Sequence, residues 1–139
     1  MIAASALVGI LSALALLHFW WATGRGASLV GVVPTESGRP LLSPGPLACI
    51  AVGGALLLAA LLCAVRASWL LPGLPAWLSQ AGVGGVALVF GLRAIGDFRY
   101  VGFTKRVRDS VFARRDTWLY SPLCVLISIL AIELARAGN

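Results

Sequence analysis

Acidic residues are scarce in this chain. Five carboxylates (Glu36, Asp97, Asp109, Asp116 and Glu133) stand against eleven lysines and arginines and a single histidine, His18, in 139 residues. Charged residues make up 12% of the sequence, about half the share of an ordinary soluble domain. One histidine and scattered carboxylates do not make a metal site of recognisable spacing, so none is expected. The three cysteines, Cys49, Cys63 and Cys124, lie in apolar stretches with no C-x-x-C motif among them, which removes redox-motif chemistry. Cys49 and Cys63, on one predicted helix, stand about 21 Å apart along its axis and cannot bridge. All three read as small buried apolar residues. P-loop, Gly-x-Ser-x-Gly and His-Glu-x-x-His patterns are missing too, and no cofactor is implied. The net charge of +6 comes without zinc-finger spacing or aromatic-basic interleaving on strands, which excludes nucleic acid as a partner.

Apolar residues are what the chain has in plenty. They form 60% of it, and they come in four long segments: Ile2–Trp21, Pro46–Val65, Leu78–Ile95 and Tyr120–Ala135. Roughly 20 helical residues cross the ~30 Å hydrocarbon of a bilayer. A chain this short has no way to hide so much apolar surface from water. The predicted fold is therefore all-α, an integral membrane four-helix bundle forming one domain over 1–139. The helices are expected at about 2–21, 46–65, 78–95 and 120–135, the last short for a full span. The first run is too long for a signal-peptide core and lacks a cleavage site, so it reads as a retained helix. Pro44-Gly-Pro46 opens the second segment, and Ser121-Pro122 opens the fourth with Ser121 as N-cap. Trp20, Trp21, Trp118 and Tyr120 read as interfacial belt residues. The two halves each carry a helix, a basic connection and a Ser-Pro start, which leaves open a parallel repeat of two helical hairpins.

The basic residues cluster. Seven of the eleven (Arg93, Arg99, Lys105, Arg106, Arg108, Arg114 and Arg115) fall between positions 93 and 115. With four spans, Arg25, Arg39 and this cluster share one side, while the other side holds only Arg66 and Arg136. The positive-inside rule then places connections 22–45 and 96–119 in the cytoplasm and both termini outside. Phe103, Val107 and Val111 recur at four-residue spacing among these basic groups. That pattern fits a short helix in the headgroup region as well as it fits a solvated loop.

Polar groups inside a bilayer are functional suspects, because each is costly to keep there. His18, Arg93, Asp97, Asp116, Tyr120 and Ser121 all fall near the cytoplasmic ends of their predicted helices. Arg93 and Asp97, spaced i, i+4, share a helix face and form either a neutralising pair or an anion clamp beside an acid–base group. Asp116 either caps the fourth helix, pairs with Arg114 or Arg115, or supplies protons. His18 is a candidate proton partner facing Asp97, and Tyr120 a candidate assistant.

The stretch "RAIGDFRYVGFTKR" (93–106), followed by "FARRDTWLYSPLC" and preceded by an early His18 and a Pro-Gly-Pro, resembles the bacterial membrane proteins grouped as domain of unknown function 3995. The resemblance covers nearly the whole chain and implies a four-helix protein of the bacterial inner membrane. It implies no catalytic residue. Two function classes stand side by side. In one, the chain binds a lipid-like amphiphile, or a partner membrane subunit or second copy, through Arg93, Arg99, Lys105 and Arg106. In the other, a small membrane enzyme isomerises or cyclises an isoprenoid or sterol-like substrate, with Asp97 and Asp116 moving protons and His18 and Tyr120 assisting. Helix 1 holds no embedded carboxylate of the kind four-helix multidrug exporters use, which argues against an exporter.

Overall fold

The computed structural model describes residues 2–24, 31–36, 39–41, 43–71 and 74–137. Arg25, counted above toward the basic side, and Pro72 and Gly73, in the second connection, lie outside the described residues. Four long helices make up the fold: α1 (Ile2–Ala22), α2 (Pro46–Arg66), α3 (Ala76–Ile95) and α4 (Val111–Arg136). Each is long and apolar enough to cross a bilayer, with mean hydropathy from 1.5 to 2.6. Leu16, Leu57, Leu88 and Ile129 stand exposed on their outer faces. Water would penalise each of these side chains, whereas hydrocarbon accepts them, and a helix satisfies its own backbone groups there. This is an all-α membrane protein with four transmembrane helices.

The helix ends come from local chemistry. Gly45 precedes α2 in an extended conformation and Pro46 fills the first turn, where a missing N–H costs nothing. α3 stops at Ile95 because Gly96 takes a φ of 95°. A Cβ at that position would lie 1.7 Å from the Val101 carbonyl oxygen, so the chain can turn here only as glycine.

α4 departs from the expected 120–135. It starts at Val111, with Ser110 as N-cap: the Ser110 Oγ accepts from the Ala113 N–H at 3.0 Å. The helix then widens into a π-helical turn over Asp116–Tyr120 and resumes as α-helix over Ser121–Arg136. Pro122 accounts for the widening, since it offers no N–H to the ladder and its ring crowds the carbonyl one turn back. The Ser121 N–H reaches instead to the Asp116 carbonyl, five residues behind. Ser121 is thus an interior residue and not a cap. Residues 103–110 form turns, bends and irregular backbone, so of the stretch expected as a short helix or a loop only Val111–Arg115 is helical, as the start of α4.

α1 packs along α2 and α3 along α4, and the packing between these two pairs is sparser. Gly53 lets the Phe19 ring lie against the α2 backbone; a Cβ there would come within 2.7 Å of it. Leu7, Leu11, Cys63, Val83, Ile127 and Ala131 form the centre of the core. These positions fill the half of the bundle away from the basic cluster. Ser128 ties α4 to α3 by donating to the Ala87 carbonyl at 2.8 Å. Arg66, buried at the end of α2, donates to the Ala135 and Ala137 carbonyls and so caps the last turn of α4. At the opposite, basic end, Thr35–Glu36 pairs antiparallel with Arg39–Pro40 in the connection between α1 and α2.

Candidate functional site

The basic end is built around Asp116. The π-helical turn of α4 points this side chain inward, where it is fully buried. Its Oδ1 accepts from Arg93 Nη2 at 2.9 Å. Its Oδ2 accepts from the Gly102 N–H at 2.7 Å, from Lys105 Nζ at 3.0 Å and from Ser121 Oγ at 3.2 Å. Lys105 is 2% exposed and uses all three of its donors, the other two on the Gly102 carbonyl at 2.9 Å and on Thr117 Oγ1 at 2.7 Å. A buried carboxylate with this many donors is ionised and held in one place. The expected partners of Asp116, Arg114 and Arg115, form no ion pair with it.

Asp97 does something different. The i, i+4 pair with Arg93 does not form, because Gly96 ends the helix before Asp97 can join its face. Asp97 Oδ1 instead accepts the N–H groups of Arg99 at 2.9 Å, Tyr100 at 2.7 Å and Val101 at 2.9 Å. Desolvation acts to raise this carboxyl's pKa, but the three N–H donors outweigh it and hold the group below its ordinary value. The turn so formed forces Phe98 to a φ of 62°. It also folds the chain back onto the end of α3, where the Phe103 and Thr104 N–H groups meet the free carbonyls of Ala94 and Ile95. Gly102 must be glycine for this, since a Cβ would fall 2.3 Å from the Ile95 oxygen.

Arg93, at the end of α3, looks two ways. One face of its guanidinium is held by Asp116; its Nη1 is buried and has no hydrogen-bond partner among the described residues. The side chain lines a cavity of about 660 Å³ between the four helices, apolar apart from a few groups at its basic end. His18 and Tyr120 lie there with it. His18 Nδ1 is 2.8 Å from the Leu14 carbonyl, and its ring meets Trp21 edge to face with centroids 5.0 Å apart. The Tyr120 hydroxyl donates to the Gly31 carbonyl at 3.0 Å. Trp21 and Tyr120, expected as belt residues, thus turn into the cavity, while Trp20 and Trp118 face outward.

The structure divides the eight candidate residues into three groups. His18, Arg93 and Tyr120 share the cavity. Asp116 and Lys105 lie behind Arg93 and hold it. Asp97, Arg99 and Arg106 line a separate surface cleft of about 410 Å³ with Glu36 and Phe98. There Tyr100 donates to Glu36 at 2.9 Å and Arg99 lies 3.6 Å from its carboxylate. His18 and Asp97, expected to face each other, line different cavities. Among the described residues no group of three His, Cys, Asp or Glu stands ready for a metal.

A family model described as protein of unknown function, DUF3995, matches residues 11–131, which is most of the chain and takes in every residue of the cavity's polar end. The chain belongs to that family. No curated protein and no solved structure matches it. In this DUF3995 chain the contribution that sequence reasoning missed is the joint one of Lys105 and Asp116. Lys105 lies in the connection before α4, so no helical spacing links it to Asp116, and the one available signal was Gly96, which rules out a helix running on to Asp97.

Proposed function

We propose that this membrane protein binds an amphiphile, with the apolar part in the cavity and an anionic group at Arg93. One observation carries the reading: Arg93 Nη1 is a buried cationic donor with no acceptor, and it stands at the head of an apolar cavity. An unpaired donor of this kind is costly, and an anionic headgroup would satisfy it. His18 and Tyr120 would flank such a group. Arg99 and Arg106, on the outer surface, would attract anionic lipid at roughly 1 kcal/mol each. In this reading the basic end faces the cytoplasm across the bacterial inner membrane, with both termini outside. The enzyme reading has less to draw on. Asp116 is engaged by two cations, an N–H and a hydroxyl, and Asp97 by three N–H groups, so neither carboxylate is poised to move a proton.

Mass spectrometry of small molecules that copurify in a mild, lipid-preserving preparation tests this. A specific amphiphile is expected with the wild-type protein and not with Arg93→Gln. Bulk lipid alone in both samples would sink the proposal.

A further inference from the structure

Two observations, taken with the amphiphile reading on which they rest, say what the cavity holds and how it is reached. The first is a charge count. Arg93 is the one charged side chain among the described residues lining the cavity. Behind it, Arg93 and Lys105 share the single carboxylate of Asp116, so two cations face one anion. One positive charge is left uncompensated. It resides on Arg93, because Lys105 has all three donors engaged while Arg93 keeps Nη1 free of partners. An uncompensated cation at the head of an otherwise apolar cavity is matched by one negative charge, and a second would find no partner there.

The second observation concerns the cavity wall. On α1 and α4 every lining residue is buried or half-buried. On α2 and α3 the wall includes Val52, Leu58 and Val89, which are 46%, 57% and 63% exposed, and the exposed Gly85. A residue that lines the cavity and also faces the lipid marks an opening. This one lies in the middle of α2 and α3, at the depth where lipid chains lie alongside.

We infer that the ligand is a lipid with one negative charge, admitted sideways from the bilayer between α2 and α3, its chain along the gap and its headgroup drawn to Arg93. Asp116 and Lys105 are positioning residues for that guanidinium. The shared chemistry is a singly charged oxyanion on an apolar chain, which a phosphodiester lipid or a fatty acid carboxylate supplies equally.

Native mass spectrometry from lipid nanodiscs separates the possibilities. The discs contain phosphatidylcholine doped with phosphatidylglycerol in one arm and with oleate in the other. The wild-type protein is expected to retain one anionic lipid per chain in preference to phosphatidylcholine. Retention of either dopant supports the inference, and which of them is kept identifies the source of the oxyanion. Arg93→Gln should lower the retained fraction about tenfold, the scale of one charge-assisted hydrogen bond removed. Gly85→Phe should do the same without touching the basic end, because a Cβ there meets nothing within 4 Å and the ring would stand in the opening. Val89→Trp on the same rim serves if Gly85→Phe does not fold. Gly9→Phe on α1, also free of neighbours within 4 Å, should retain lipid like the wild type. If Arg93→Gln releases the lipid while both rim variants keep it, the sideways route is wrong and the binding reading stands. Equal retention of phosphatidylcholine overturns the charge argument. No retained lipid in the wild type overturns the site altogether.

Discussion

Asp116 is fully buried between Arg93 and Lys105, and removing it strands both cations at once. Asp116→Ala should therefore cost about 3–5 kcal/mol, the scale of breaking a buried ion pair from one side. Lys105→Met leaves Arg93 as partner and should cost less. Arg93→Gln, with the side chain one-third exposed, should cost least. Thermal unfolding in detergent gives the order, and Arg93→Gln as the most harmful of the three would contradict it. Asp97 answers to pH instead. Its folded-state pKa lies below the ordinary value, which is about 3.9 for an unfolded chain. The stability it contributes is therefore fully present above that value and is lost as pH falls through the lower folded value. Asp97→Asn should lower Tm at neutral pH, and the gap from wild type should close in strong acid. A gap that stays constant with pH would mean that the charge is not what holds the turn.

At the scale of elements, the π-helical turn of α4 decides where Asp116 points. Deleting Leu119, an exposed residue inside that turn, would take the extra residue out of α4 and leave Pro122 to kink the helix. The N-terminal part of α4, Asp116 included, would then rotate by about 100° against the rest of the helix. Helical content by circular dichroism should survive while copurifying amphiphile disappears; retention of both would show that the turn does not aim the site. The same element marks the limit of what could be read from residues alone. Four spans were legible because length and hydropathy are local properties, as was the gathering of polar groups at one end of the bundle. The pairing of those groups was not. Helical spacing joined Arg93 to Asp97, yet one glycine with a left-handed φ ended α3 first and sent Arg93 to a carboxylate 23 residues away. Ser121-Pro122 looked like a start signal because proline marks first turns far more often than π-helical turns inside a helix.

For the whole molecule, the two helical pairs share a core in the half away from the basic cluster and are tied by hydrogen bonds at both ends. Arg66 of α2 grips the last carbonyls of α4 at one end. At the other, Tyr120 holds Gly31 and Tyr100 holds Glu36 across the connections. An opening pinned at both extremities widens only if the helices between them bow, and a bowed helix strains its own hydrogen bonds. The consequence is kinetic. On the proposed reading, a lipid seated there should leave slowly even where its affinity is ordinary, as from a holder with a long dwell time and not a conduit. Tyr100→Phe removes one of the pins away from the cavity without changing any charge. It should speed exchange of a spin-labelled anionic lipid between vesicles and protein while leaving occupancy at equilibrium nearly unchanged, and an unaltered exchange rate would mean that release is governed elsewhere.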